Sequence, residues 1–206
     1  MGRFIVIEGL DGTGKTTQIK NLAAYLEKKG EKVHITAEPT AGETGKLCRR
    51  VLSGELSASP WASAALFLAD RIQHNTEPAS GIRKLLQDGF TVISDRYYYS
   101  TFAYQGFETE LSWILNAHYN CPLITKPDLV LFLTMPVERC LERINANRAA
   151  EEIEIYENSA ALTKISRQFD FVFEKIKDRE NIVYIDADGS IEQVAERICS
   201  AVEESL

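Results

Sequence analysis

The chain of 206 residues is short of several things, and each shortage removes a class of function. It has no run of 18 apolar residues, so no membrane span is expected. Cysteine is sparse. Cys48, Cys121, Cys140 and Cys199 form no C-x-x-C pair, and none stands near a histidine at zinc-ligand spacing. That leaves free thiols, buried or idle, which suit a reducing cytoplasm. Basic charge is outweighed: 23 Lys and Arg face 30 Asp and Glu, a formal net charge of −7. Such a balance argues against broad nucleic-acid binding, while a small anion in a locally basic pocket stays open. Histidine is limited to His34, His74 and His118, with no Ser-His-Asp or Cys-His arrangement, and these three read as structural or surface groups. Val6 stands where a myristoylation signal needs Ser or Thr. Glu8 and Asp11 interrupt the apolar stretch that a signal peptide would require. No repeat, low-complexity tract or linker divides the chain, so one domain over 1–206 is expected.

What is present is ordinary in amount, 45% hydrophobic and 26% charged residues, and informative in order. Short apolar runs at Phe4–Ile7, Lys32–Thr36, Phe90–Ser94, Leu129–Leu133 and Ile182–Ile185 read as strands. Between them, Thr16–Lys29 carries Ile19, Leu22, Ala23 and Leu26 on one helical stripe and ends at Gly30. Leu66–Leu86 reads mainly as helix, broken or bent at Pro78 and Gly81, and a last helix covers Ile191–Glu204. Fully apolar strands separated by helices indicate an α/β fold: a five-stranded parallel sheet flanked by helices. Asn145–Glu157 stands apart. It is polar, with Glu151, Glu152, Glu154 and Glu157 around Arg148, and reads either as an exposed connection or as a solvated helix face.

Gly9-Leu10-Asp11-Gly12-Thr13-Gly14-Lys15-Thr16 fits G-x-x-x-x-G-K-[ST], followed by Thr17. The glycines let the backbone turn tightly and aim N–H groups at phosphate oxygens, and the following helix adds its positive end. Lys15 supplies a compact cation for β and γ phosphates, and the Thr16 hydroxyl suits Mg²⁺. The string follows an apolar strand and opens an amphipathic helix, the context the motif needs. It points to a three-layer P-loop NTPase fold that binds a nucleotide such as ATP. Two fragments suggest a switch GTPase: Thr125-Lys126-Pro127-Asp128 resembles [NT]-K-x-D, and Asp186-Ala187-Asp188-Gly189 resembles D-x-x-G. Their order is inverted, and the first precedes its strand instead of following one. Those two facts reject the GTPase reading.

On the acceptor side, Asp95 and Arg96 close the third strand, at the sheet end that faces the ligand crevice. An Asp there can hold Mg²⁺ through water, and an adjacent Arg can fork onto a phosphate. Phe67 and Arg71 are four residues apart and share a helical face. Together they could stack on a base and hydrogen-bond its carbonyl, although Leu66, Leu68 and Ile72 nearby make a plain core role the favoured reading of Phe67 on spacing alone.

From Phe4 through Gln18, at Glu38-Pro39, over Leu66–Arg71, over Asp95–Gly106 and at Pro127-Asp128-Leu129, the chain resembles the thymidylate kinase family nearly end to end. The resemblance implies transfer of the ATP γ-phosphoryl group to dTMP, with Mg²⁺. It implies that Phe67 stacks on thymine and Arg71 binds a base carbonyl. Thr101 and Gln105 would sit at the base edge, and Tyr104 would close the sugar pocket. Asp11 would meet the 3′-hydroxyl, Arg96 and Arg49 would hold the acceptor phosphate, and Glu38 would order the pocket. It further implies a cytoplasmic homodimer acting on small molecules, with no nucleic-acid or membrane partner. The family's catalytic arginine comes from the P-loop or from a lid. The P-loop here has none, so a lid at about 145–157 would supply Arg148, with Arg143 next. Ile153 and Ile155 occupy places expected to hold lid arginines, and Thr134 stands where the fourth strand often ends in Asp. Another P-loop kinase of different acceptor, or a non-catalytic nucleotide-binding regulator, are the alternative readings.

Overall fold

The structure is a computed structural model that describes residues 2–147 and 159–206. In chain order it forms β1 (Phe4–Gly9), α1 (Lys15–Lys28), β2 (Val33–Ala37), α2 (Glu43–Leu52), α3 (Pro60–Thr76), α4 (Ile82–Gln87) and β3 (Thr91–Asp95). It continues with α5 (Tyr98–Tyr104), α6 (Leu111–Tyr119), β4 (Leu129–Thr134), α7 (Val137–Asn147), α8 (Ser159–Ile176), β5 (Ile182–Asp186) and α9 (Ile191–Ser205). Every β pairing is parallel, in the order β2-β3-β1-β4-β5. β1 is buried at every position and β4 at all but its last. That pattern requires helices on both faces, which is why these strands read as unbroken apolar runs. The edge strands β2 and β5 are only partly covered.

All five expected strands form, with ends shifted by a residue or two. The helical segment expected over Leu66–Leu86, broken or bent at Pro78 and Gly81, forms two helices, α3 and α4, with the break around those residues. α3 also starts earlier, at Pro60, because the Ser59 hydroxyl accepts from the Ala62 N–H at 3.2 Å and proline suits a first helical position. The run Ala62-Ser63-Ala64-Ala65 carries little apolar contrast, so periodicity alone hides that first turn.

The register sets the site. β1 lies between β3 and β4, with Ile7 opposite both Asp95 and Leu131. The C-terminal ends of β1 and β3 therefore deliver the Gly9–Thr16 loop and Asp95–Arg96 to one edge of the sheet, where an open α/β sheet takes its ligand. Thr125–Asp128 lies at the opposite edge. There the Asp128 carboxylate accepts from the Phe4 N–H at 2.7 Å, and the Asp128 N–H donates to the Phe4 carbonyl at 2.8 Å. This fragment anchors the start of β1, far from the nucleotide loop.

Behind β4, α8 presents Leu162, Ile165, Phe169, Val172, Phe173 and Ile176 as one buried stripe. Phe169 is fully buried and its ring packs on Phe132, Phe173 and Tyr104, with centroids 4.9, 5.6 and 6.2 Å away. It thus ties α8 to both the sheet and α5. Phe169→Ala is expected to cost about 3–5 kcal/mol by removing this ring from a packed core. Urea denaturation would read the loss as a lower midpoint at unchanged slope.

Candidate active site

The loop after β1 is shaped by positive-φ glycines. Gly9, Gly12 and Gly14 have φ of 147°, 85° and 94°. A Cβ at Gly12 would lie 2.4 Å from the Cys140 carbonyl oxygen on α7. Backbone approach there is too close for any side chain. The loop wraps round Lys15, whose Nζ donates to the carbonyls of Gly9 and Leu10 at 3.0 Å each and lies 3.6 Å from Asp11 Oδ1. α1 begins at Lys15, so its first N–H groups, which no helix residue can satisfy, belong to the loop.

Arg96 stands beside this loop. It is the one non-glycine residue with positive φ among the described residues, at 69°. Its guanidinium donates to Asp11 Oδ1 at 2.5 Å, to the Ser100 hydroxyl at 3.0 Å and to the Gly9 carbonyl at 3.4 Å. Glu8, fully buried at the end of β1, holds the same turn from behind. Its Oε1 accepts from the N–H groups of Tyr97 at 2.9 Å and Ser100 at 3.1 Å, and its Oε2 accepts from the Ser100 hydroxyl at 2.8 Å. Burial raises the Glu8 pKa, against the pull of Arg96, Ser100, Tyr97 and Lys15. Burial works against the charge of Arg96 as well. There, however, Asp11, Tyr104, Glu8 and Asp95 outweigh it and hold the guanidinium ionised.

Two cavities meet at this point. The larger, about 660 Å³, is lined by the residues from Asp11 to Gln18 and by Asp95, Arg143 and Arg49, with the start of α9 at its far end. The smaller, about 210 Å³, is lined by Phe67, Arg71, Thr101, Tyr104 and Gln105, among others. Asp11, Glu38, Pro39 and Arg96 line both. The acceptor-side residues expected from the sequence thus come together in one cavity, apart from Arg49. That residue lines the larger cleft and donates to the carbonyls of Pro39 and Thr40.

Behind the smaller cavity lies a buried network. Arg71, 1% exposed, donates from Nε at 2.8 Å and from Nη2 at 2.5 Å to Glu38 Oε2. Its Nη1 reaches Thr101 Oγ1 at 3.2 Å and His118 Nε2 at 2.7 Å. His74 Nδ1 donates to Glu38 Oε1 at 2.9 Å, and its Nε2 pairs with the Thr36 hydroxyl at 2.7 Å. Two of the three histidines are therefore structural, as expected, but what they support is the site. Glu8, Ser100, His74 and His118 are the participants that sequence reasoning did not place here. For Glu8 a signal existed, since it is a charge closing an otherwise apolar strand.

Thr16 and Asp95 are also adjacent, with the Thr16 hydroxyl 3.4 Å from Asp95 Oδ2. Asp95 Oδ1 is buried and has no hydrogen-bond partner among the described residues. A hydroxyl and an open carboxylate oxygen beside a phosphate loop fit Mg²⁺, a hard cation that takes oxygen ligands and keeps several waters. Arg143, on α7, lines the larger cleft and lies 3.5 Å from the Thr13 carbonyl. Residues 145–147 of the expected lid form the last turn of α7, while Arg148 and the rest of that segment lie outside the described residues. Thr134 donates its hydroxyl to the Ile185 carbonyl at 3.2 Å, bonding β4 to β5. All four cysteines are free thiols. Burial pushes Cys48 up to about 12 and Cys140 up to about 11, so both stay protonated and unreactive.

Comparison with known proteins agrees along the chain's length. The family model described as Thymidylate kinase matches residues 7–198. A thymidylate kinase from Prochlorococcus marinus is 37% identical, with 100% of this chain and 94% of that protein aligned. One from Desulfotalea psychrophila is also 37% identical, over 100% and 96%. Among solved structures, thymidylate kinase from Candida albicans superposes with a TM-score of 0.78 at 27% identity, covering 98% of this chain and 92% of that one.

The glycine geometry yields a direct test. Gly12→Ala combines an unfavourable φ with a clash against backbone. It should destabilise the fold by roughly 1–3 kcal/mol and weaken ATP binding by tenfold or more. Thermal unfolding and calorimetric titration would report the two effects separately.

Proposed function

This chain belongs to the thymidylate kinase family of phosphotransferases, and on that footing we propose that it transfers the γ-phosphoryl group of ATP to dTMP, giving dTDP and ADP. The observation that carries the reading is the shared wall. The cavity lined by the P-loop and the cavity lined by Phe67 and Arg71 meet at Asp11, Glu38, Pro39 and Arg96. A donor phosphate chain in one cavity and an acceptor phosphate in the other would face each other across those residues.

The role of each residue rests on the family resemblance and on which cavity it lines. Gly9–Thr17 cradles the donor phosphates, with Lys15 as the fixed cation. Phe67 stacks on the base. Arg71 has one N–H left after Glu38, Thr101 and His118 are served, and that N–H meets a base carbonyl. The Gln105 side chain makes no hydrogen bond to the described residues and lines the cavity, so it offers the base edge both a donor and an acceptor. Tyr104 closes the sugar side and Asp11 receives the 3′-hydroxyl. Arg96 holds the acceptor phosphate, and Arg49, on the larger cleft, approaches it from the donor side. The nucleophile is a phosphate oxygen, largely ionised near neutral pH because a monoester's second pKa is about 6. No general base is required. What the reaction demands is positive charge holding two repelling phosphates in line. Thr16 and Asp95 would hold Mg²⁺, whose positive charge would offset the negative charge of the donor phosphates. A lid arginine, Arg148 or failing it Arg143, completes the set.

One kinase domain over 1–206, acting as a cytoplasmic homodimer without nucleic-acid or membrane partners, goes with this reading. The net charge of −7 supports the lack of nucleic-acid binding. Among the described residues no helix is long and apolar enough to cross a membrane. The exposed pair Trp61 and Trp113, with ring centroids 5.1 Å apart, joins α3 to α6 and offers an apolar surface for self-association.

An assay of ATP with each nucleoside monophosphate tests the reaction, with dTDP expected from dTMP. Preference for UMP, CMP or AMP with dTMP inert overturns it. Phosphorylation of thymidine itself would indicate a nucleoside kinase, and ATP binding without any turnover would indicate a regulator. Lys15→Ala should lower turnover by at least about a hundredfold in a protein that still folds. Arg148→Ala should lower kcat by roughly 10²–10³-fold with little change in the KM for dTMP. An unchanged kcat would move that role to Arg143.

A further inference from the structure

Behind the base cavity stands a side chain that the reaction does not use. His118 is buried at 3% exposure on α6, packed edge-on against the rings of Tyr98 and Phe102. Its two nitrogens have different partners. Nδ1 lies 2.8 Å from the Ile114 carbonyl, one turn earlier on the same helix, and Nε2 lies 2.7 Å from Arg71 Nη1. A carbonyl accepts only and a guanidinium donates only, so the pattern fixes the tautomer. Nδ1 carries the proton and donates to Ile114, while Nε2 is bare and accepts from Arg71. Burial, with the Arg71 charge beside it, lowers the pKa of His118 to about 3, so the ring stays in that form.

A guanidinium has five N–H donors in a rigid plane. Glu38 Oε2 takes one from Nε and one from Nη2, Thr101 takes one from Nη1, and His118 takes the other. One N–H, on Nη2, is left for the cavity that Arg71 lines. The plane is gripped on both sides, by a carboxylate on one and by a hydroxyl and an imidazole on the other. It cannot turn toward a different ligand atom without leaving a buried donor unpaired.

We propose that His118 is a specificity-determining positioning residue: by accepting from Arg71 Nη1 it locks the guanidinium so that a single donor meets an acceptor atom on the base. This rests on the reading that the smaller cavity takes the nucleobase of dTMP. A ring presenting a carbonyl there is accepted. A ring presenting an amino group at the same point sets donor against donor.

Two substitutions separate this role from simple packing. Glutamine can place an acceptor near the position of Nε2. Asparagine, which is shorter, can reach Ile114 but not Arg71. With both, H118Q should keep the KM for dTMP within about threefold of wild type. H118N should raise it roughly tenfold or more, the worth of one hydrogen bond to a charged group. In H118N, kcat and the KM for ATP should stay within about twofold. Equal KM values for H118Q and H118N, or a fall in kcat with the dTMP KM unchanged, would overturn the proposal. A second measurement needs no variant. Nitrogen NMR of the wild-type protein between pH 5 and 8 should show His118 protonated at Nδ1 alone, and a proton on Nε2 would refute the contact. Wild-type protein that turns over no dTMP would count against the substrate reading, and the NMR result would still decide the contact between His118 and Arg71.

Discussion

Two cations, Lys15 and Arg96, are held almost out of water at the place where the two cavities meet, and every other part of the site is arranged round that fact. Lys15 is 7% exposed, and the Arg96 side chain is 17% exposed. Charges so withdrawn from solvent must be paired or hydrogen-bonded. Lys15 is met by the carbonyls of its own loop and by Asp11, and Arg96 by Asp11, Ser100, the Gly9 carbonyl and, more distantly, Glu8. The positive φ of Arg96 belongs to the same arrangement. It turns the chain sharply after β3 so that the side chain returns over Gly9, and the buried carboxylate of Glu8 stitches that turn to β1 through two backbone N–H groups and a hydroxyl. Strain at such a position persists only where the surroundings over-determine it, and Glu8 is the group that does so.

How much of this was readable beforehand depends on whether a residue's role is local in sequence. The strands were legible because full burial makes them apolar throughout. The phosphate loop was legible because positive φ at Gly9, Gly12 and Gly14 and the cation at Lys15 all fall within one short string. Phe67 and Arg71 could be paired in advance because helical spacing alone puts them on one face. The existence of a shared wall between two cavities was not legible from spacing. It depends on the parallel register that sets Ile7 beside Asp95, which no local pattern states.

The supporting residues were missed for a related reason. His118 and Arg71 are 47 positions apart, and Glu38 and His74 are 36 apart. A histidine on an amphipathic helix gives no sign of what its far nitrogen touches. Helices α2, α5, α6, α7 and α8 likewise went unassigned, although α8 carries a strong apolar stripe. That helix covers β4 and carries no chemistry-bearing string. Arg49 shows the opposite limit. Placing it beside the acceptor phosphate was a matter of resemblance, and the structure seats it on the larger cleft, anchored by the carbonyls of Pro39 and Thr40.

Asp11 is the most revealing member of the cluster. A site built to grip phosphates must keep its cations buried and ionised before any phosphate arrives, and doing so without counter-charge would be costly. Asp11 supplies that counter-charge, since its Oδ1 lies 2.5 Å from Arg96 and 3.6 Å from Lys15. A carboxylate so placed occupies, in charge and hydrogen-bonding terms, the position of a phosphate oxygen. On the function proposed above, substrate phosphates would compete for the same donors, and Arg96 would exchange one anionic partner for another without being exposed to water. On the same reading, that exchange would free an Asp11 oxygen to accept from a hydroxyl on the sugar. On the proposed function, one carboxylate would both balance the two buried cations and meet the substrate, in keeping with its place in the wall common to both cavities.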